Sequence, residues 1–423
     1  MTDRDSAPWY RHLGPGLTTG AADDDPSGIA TYAQAGAQFG TGMLWTLLLT
    51  LPLMIAIQLV SARLGRVSGG GVFANIRRHQ SPWLAGGFVL LVTMANVINI
   101  GADIAAMGDS LHLMLGGPRA LYACGFALLS LALQVWLPYR RYARYLKWMA
   151  ISLLAYVGTA FVVRVDWLRA LHDTVLPHPL ATKDYATTLI AVFGTTISPY
   201  LFIWQAAGEV EETRLDPRAA PLTHVPEQAE RQLKRIRIDT VVGMAGSAFI
   251  AFCIMLTAAY ALHTHGITHI ETCKQAALAL APVAGRFAEA LFAWGVIGTG
   301  MLAVPVLAGS SAYAAAEAFG WRRSLEDRPA RAPRFYGFLA LVMVVSTLVV
   351  FLPVEPFKLL YWSAVLNGIA ATPVMVILQL LSRRAAVMGA FASPRWLSAA
   401  AWAATACMGA GTVAFLVLVG TGA

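Results

Sequence analysis

The sequence predicts an all-α integral membrane protein of eleven transmembrane helices, with the first and sixth broken in mid-membrane. Three observations carry that expectation. Of the 423 residues, 57% are hydrophobic and only 13% are charged, roughly half the charge of a soluble domain. The apolar residues fall into long blocks, the mark of membrane spans. Basic residues gather in every second loop, as the positive-inside rule requires.

Spans are expected at about 12–38, 42–64, 83–115, 119–138, 145–164, 186–208, 238–262, 286–319, 335–353, 357–381 and 395–420. Most meet the ~20 residues needed to cross a bilayer. The stretches 12–38, 83–115 and 286–319 exceed it and are expected to be tilted, broken or extended beyond the lipid. Residues Met1 to Leu13 are polar with both charge signs, unlike a cleavable signal peptide.

Placing the N-terminus in the cytoplasm puts 24 of the 31 basic residues on the inner side. These are Arg4 and Arg11; Arg63, Arg66, Arg77 and Arg78; Arg140, Arg141, Arg144 and Lys147; Arg214, Arg218, Arg231, Lys234, Arg235 and Arg237; Arg322, Arg323, Arg328, Arg331 and Arg334; and Arg383, Arg384 and Arg395. A missed or invented span would scramble this alternation. The net charge of +8 and pI near 9.5 therefore orient the chain in a bacterial-type inner membrane. No single basic face for nucleic acid is formed. The longest inner loop, 209–237, contains Pro217, Pro221 and Pro226, and its tail reads as a short interfacial helix entering the seventh span. Four cysteines, Cys124, Cys253, Cys273 and Cys407, show no paired spacing for a disulfide or zinc site.

The first span reads Gly14-Pro-Gly-Leu-Thr-Thr-Gly-Ala-Ala-Asp-Asp-Asp-Pro-Ser-Gly28. Each charge at the bilayer centre costs at least ~2.5 kcal/mol. Pro26 removes a helix hydrogen bond and Gly28 tolerates unwound geometry. Irregular backbone at this depth is tolerated only where it lines a cavity. The sixth span reads Ala191-Val-Phe-Gly-Thr-Thr-Ile-Ser-Pro-Tyr200, where Gly194 and Pro199 bracket Thr195, Thr196 and Ser198. A lone proline kink is common in membrane helices. Here the two interruptions fall in corresponding spans of two five-helix halves, which points to a transporter binding site. Unwinding frees carbonyls beside carboxylates and hydroxyls, an oxygen-only, net-negative set suited to Mg²⁺, Mn²⁺ or Ca²⁺. Na⁺ coupling is compatible with it.

Gly14-Pro-Gly16 with Asp25-Pro26-Ser27-Gly28 resembles the opening of the Nramp family of divalent-metal transporters, which carries Asp-Pro-Gly-Asn in its broken first helix. Gly194-Thr-Thr-Ile-Ser-Pro-Tyr200 resembles that family's sixth-helix Met-Pro-His motif. The resemblance covers essentially the whole chain. It implies one transporter domain over residues 1–423 with a LeuT-like fold: repeat one at about 12–164, an inverted repeat two at about 186–381, and an extra helix at about 395–420. It implies metal ligands at Asp25, the Ala22 backbone and the Thr195 carbonyl. The family's asparagine ligand falls on Gly28, its methionine on Ser198 and its histidine on Tyr200. Serine offers only hard oxygen where methionine is soft. The missing asparagine leaves room for waters, which Mg²⁺ tends to keep. The expected substrate is thus a hard divalent cation, Mg²⁺ or Mn²⁺, and no cofactor is implied. In span three, family glutamates fall on Asn96 and Ala106 and an aspartate on Asp103, so the usual proton route is thinned.

Secondary candidates follow. Asp23 and Asp24 flank Asp25, as cation-gathering accessories or caps of the break. Asn367, beside Gly368, is an oxygen ligand or part of a small-residue packing pair. Gln205 and Glu209 line an exit path or form a solvated helix end. The outer loop His263-Thr-His265-Gly-Ile-Thr-His269-Ile-Glu-Thr-Cys273 fits no metal template. Rival readings are a cation-coupled amino-acid transporter on the same fold, a channel, and a membrane enzyme. His-Glu-Xaa-Xaa-His, nucleophile-elbow and phosphate-loop motifs are absent. The chain is expected to act as a monomer.

Overall fold

The computed structural model describes residues 14–137, 153–180, 182–325 and 328–421, and these are helical without strands. The first span is two helices, α1 (Pro15–Asp23) and α2 (Pro26–Phe39). A tight turn at Gly40–Met43, with Gly40 at φ +57°, separates α2 from α3 (Leu44–Ser68). A short α4 (Val72–His79) follows, then α5 (Pro82–Leu115) and α6 (Arg119–Trp136). Of the fifth span only α7 (Leu154–Val162) is described; the rest of that expectation lies outside the described residues. α8 (Trp167–Val175) follows, bonded to the Gly40–Met43 turn through Thr41 Oγ1 and Asp173 at 2.5 Å.

The sixth span is again two helices, α9 (Lys183–Thr196) and α10 (Pro199–Leu215). Then come α11 (Ala229–Ala261), α12 (Ala288–Phe319), α13 (Pro333–Leu348), α14 (Pro356–Ser382) and α15 (Arg395–Thr421). The basic tail of the 209–237 loop is the opening of α11 itself, not a separate interfacial helix. The loop proper is shorter than expected, because α10 runs on to Leu215.

Among the described residues, nine helical stretches are long and apolar enough to cross a membrane. The difference from eleven lies in two places. Pro26–Ser68 is one continuous stretch that holds the end of span one and all of span two. The fifth span is only partly described.

The two broken spans sit at the centre. The most apolar window of Lys183–Leu215 is 94% buried, against 22% for Arg119–Trp136. α1 and α2 pack on α11, α9 packs on α14, and α5 packs on α12 and α14. Two glycine contacts allow this closeness. A Cβ at Gly20 would lie 2.3 Å from the Gly243 carbonyl, and one at Gly194 would lie 2.1 Å from the Ala364 carbonyl. The periphery exposes Leu90, Leu121, Leu128 and Phe161, as a lipid-facing surface should.

The first turn of α1 is held by Asp239 of α11. Its carboxylate accepts from the amides of Gly14, Gly16 and Leu17 at 2.9, 2.7 and 3.0 Å. A helix start leaves such amides without intrahelical partners, and a buried one is costly. Asp239→Ala is therefore expected to destabilise the protein by about 2 kcal/mol. A lowered unfolding temperature of detergent-purified protein checks this; an unchanged one contradicts the clamp.

Candidate functional site

Both breaks follow from proline chemistry. In a helix, the carbonyl of residue i accepts from the amide of residue i+4. Pro26 and Pro199 have no N–H, so Ala22 and Thr195 lose their helical donors. At the first break, Asp24 has φ −83° and ψ 47°, and Asp25 is extended at φ −69° and ψ 168°. At the second, Ile197 has φ −118° and ψ 55°, and Ser198 has φ −74° and ψ 140°. Each freed carbonyl meets a hydroxyl instead. Tyr200 donates to Ala22 O at 3.2 Å, and Ser198 Oγ donates to Thr195 O at 3.0 Å and Gly194 O at 2.5 Å.

Asp25 is the hub. Its Oδ1 caps α2, accepting from Gly28 N at 2.6 Å and Ser27 Oγ at 2.7 Å. Its Oδ2 accepts from Asn99 Nδ2 at 3.1 Å and Tyr200 OH at 3.3 Å. Asn99 also donates to Asp103 Oδ2 at 3.2 Å, while its Oδ1 accepts from Asn367 Nδ2 at 2.9 Å. Asp103 Oδ1 and Asn367 Oδ1 are buried without a partner. Three oxygens, Asp23 O, Thr195 Oγ1 and Asp25 Oδ1, lie 3.2–3.3 Å from the point where a side chain at Gly28 would begin. Position 28 therefore faces the break in both helices.

Asp23 and Asp24 share the Ser247 hydroxyl of α11, which lies 3.0 Å from Asp24 Oδ1 and bonds Asp23 Oδ2. Asp23 Oδ1 has no partner. Asp23, Asp24, Asp25 and Asp103 are thus all buried, and the donors around them are hydroxyls, amides and backbone, with no Lys or Arg pairing them among the described residues.

The family model described as Natural resistance-associated macrophage protein-like matches residues 16–418. The chain belongs to the Nramp family. Its members are membrane transporters, not enzymes. It is 26% identical over 406 residues to a divalent metal cation transporter MntH of Klebsiella pneumoniae, covering 93% of this chain and 91% of that one. Its structure resembles that of the Eremococcus coleocola manganese transporter, with a TM-score of 0.76 at 15% identity over 98% of this chain and 87% of that one. Mhp1, a nucleobase-cation-symport-1 family transporter, matches with a TM-score of 0.59 at 14% identity over 96% of this chain and 91% of that one. At these identities the likeness concerns the fold, which is LeuT-like.

Of the residues that the Nramp resemblance singles out, Asp25, Ala22, Gly28, Thr195 and Tyr200 converge. Ser198 lies at the second break, where its hydroxyl bonds its own helix. Thr195 faces position 28 with its hydroxyl, while its carbonyl is held by Ser198. Asp103 and Asn367 join the cluster through Asn99, so Asn367 does more than pack. Asn96 turns away, to Leu307 O, Ser310 and Ser311 of α12. Asp23 and Asp24 are buried at the break and do not sit in an open vestibule. Gln205 and Glu209 form no solvated end. Both are buried, Gln205 on Thr240 at 3.2 Å and Glu209 on Arg235 at 2.5 Å. In the outer loop, His263 bonds Ala37 O at 2.8 Å. Among the described residues no group of three His, Cys, Asp or Glu is arranged to hold a metal.

Asn99 and Ser247 were not among the expected residues. Asn99 was legible: Asn96, Asn99 and Asp103 recur at helical spacing on one face of an apolar span. Ser247 gives no such signal.

Pro199→Ala supplies an amide able to claim Thr195 O, closing the second break. Such a variant should be as stable as the parent, yet transport at least about tenfold more slowly, the cost of one weakened ligand at about 1.4 kcal/mol. Flux in proteoliposomes alongside thermal unfolding tests this; full transport by a folded variant would sever the link between the break and activity.

Proposed function

We propose that this Nramp protein is a secondary transporter that takes up a hard divalent cation, Mg²⁺ or Mn²⁺, by alternating access. One observation carries the reading: Asp25, in a group of four buried carboxylates held by neutral donors, shares Tyr200 with the proline-freed Ala22 carbonyl and faces Thr195 across position 28. Anions without cationic partners are costly in an apolar interior, and a doubly charged cation offsets that cost. The names of the relatives, a divalent metal cation transporter and a manganese transporter, support the same substrate class.

Asp25 is the anchoring ligand, joined by the Ala22 carbonyl and by Thr195 oxygens, with Ser198 at the edge. Asp24 adds negative charge. Asn99 stands in for the carboxamide that Gly28 lacks. Turning its amide over presents Oδ1 to the Asp25 side. A matching turn of Asn367 brings its unpartnered Oδ1 to the Asn99 NH₂. The room at Gly28 keeps water on the ion, which suits Mg²⁺. Every ligand is oxygen, so soft cations gain nothing extra. The breaks at Asp24–Asp25 and Ile197–Ser198 serve as hinges.

We further propose that the basic loops face the cytoplasm of a bacterial-type cell, by their charge bias, and that the monomer is the working unit. Asp103 alone remains of the three family acids on α5, and Tyr200 occupies the histidine position. Obligatory proton coupling therefore lacks its usual groups.

In proteoliposomes, Mg²⁺ or Mn²⁺ should enter faster than Fe²⁺ or Cd²⁺; efficient Fe²⁺ or Cd²⁺ transport with neither Mg²⁺ nor Mn²⁺ moving would sink the ligand argument. Asp25→Asn should weaken metal binding at least about a hundredfold, two steps of about 1.4 kcal/mol, as read by calorimetry. Ser198→Met should raise Cd²⁺ uptake relative to Mg²⁺. A pH dye inside the vesicles should report no stoichiometric acidification during uptake, and a clear proton influx would overturn the uncoupled reading.

A further inference from the structure

Far from the breaks, on the side that carries the basic loops, a cavity of about 390 Å³ opens between three helices. They are the end of α3, the first turns of α11 and the start of α15. Arg63, Lys234 and Arg237 line it, with Glu230 as its single acid. The Arg237 guanidinium lies over the Trp396 ring, 5.6 Å from the centroid. Arg63 reaches the Phe391 carbonyl at 3.1 Å through Nη2, but its buried Nε has no partner. None of these three cations forms an ion pair with a carboxylate among the described residues. Leu59, Leu233 and Leu397 supply apolar wall.

Three cations without a carboxylate partner around one cavity suit an anion, and the setting says which kind. Trp396 is 55% exposed, and further along α11 Ile238, Val241, Val242 and Phe249 are exposed as well. In a membrane helix such residues face acyl chains, and a tryptophan at the helix start sits at headgroup level. The cavity thus joins a phosphate-sized positive rim to an apolar face that continues into the bilayer. Basic pockets between transmembrane helices on the cytoplasmic side suit acidic lipid headgroups.

We propose that this cavity binds the phosphate-bearing headgroup of an anionic phospholipid, with Lys234 and Arg237 as the main contacts and Arg63 behind them. Free phosphate shares the charge chemistry but makes no use of the apolar face. The site has a structural consequence. Arg235 and Asp239 lie on the same two turns of α11 and bind Glu209 and the start of α1. A bound lipid braces the segment to which α1 is tied. The inference does not depend on which ion the protein carries.

Native mass spectrometry of the full-length protein in detergent tests it, with phosphatidylglycerol, phosphatidylcholine and inorganic phosphate as separate probes. Phosphatidylglycerol should be retained and should raise the unfolding temperature; phosphatidylcholine and phosphate should do neither. The K234Q/R237Q variant should retain roughly tenfold less phosphatidylglycerol, with its lipid-free unfolding temperature reporting that it has folded. Glu230→Gln, which removes the lone acid, should retain more. Equal retention of both lipids, or of phosphatidylglycerol by parent and both variants, would overturn the proposal. Binding of phosphate as tight as that of the lipid would overturn it in favour of a free-anion site.

Discussion

Two missing amide hydrogens govern this structure. Pro26 and Pro199 deny the carbonyls of Ala22 and Thr195 their helical donors, and in hydrocarbon an orphaned carbonyl costs several kcal/mol. Such breaks survive only inside the protein, facing groups that can satisfy them. Tyr200 and Ser198 supply those groups. The need to enclose the breaks explains why the sixth span has the most buried apolar window among the described spans, and why Gly194 lets α9 approach α14 so closely. The architecture is a shell built around two defects, and the defects are where the proposed ion site lies.

The same logic extends to the acids. Asp25 is the cap of α2 and also the hub of a side-chain network. A capping carboxylate is held in place without a cationic partner, because backbone amides at a helix start favour negative charge. Its charge is therefore not cancelled by the protein and stays available to an ion. An arginine in this position would stabilise Asp25 but remove its attraction for a cation. Neutral donors achieve the opposite balance. They hold the carboxylate while leaving its field intact, and hydroxyl and amide groups can turn away when an ion arrives. The Asn99–Asn367 pair is built for this, since a carboxamide offers a donor at one end and an acceptor at the other.

Much of this was legible in the sequence, for reasons that particular residues make plain. Proline, glycine and aspartate in an apolar block leave few structural options, so both breaks can be read directly, while the Nramp resemblance singles out Asp25 among the three aspartates. In span three the Nramp resemblance draws attention to Asp103 and leaves the usual proton route thinned. Asn99 lies one turn earlier on the same face. Its importance comes from what α2 and α14 bring to it, and pairings over such distances leave no local pattern. The solvated-end alternative for Gln205 and Glu209 fails for the same reason. Their polarity suggested solvent, but Thr240 and Arg235 of α11 make them interior. The 209–237 loop is shorter than expected because the helices on either side run past the apolar residues, to Leu215 and from Ala229. A helix that leaves the lipid can continue through water with its polar residues exposed, as α11 does in reverse.

The clamp at the start of α1 limits how the protein can move. Asp239 accepts three amides at 2.7–3.0 Å, a clamp whose loss costs about 2 kcal/mol. Gly20 and Gly243 press the same two helices together over the next turn. Swinging α1 alone away from α11 would break the clamp and open the Gly20–Gly243 contact together. Rotating about Asp24 and Asp25 breaks no backbone hydrogen bond that Pro26 has not already removed. The lower-cost motion carries α1 together with the opening turns of α11 and bends at the break. The hinge and the proposed ion ligands are then the same residues, and an ion bridging Asp25 to Thr195 would resist that bend directly. Coupling between occupancy and conformation follows from that shared position, without a separate relay through the bundle.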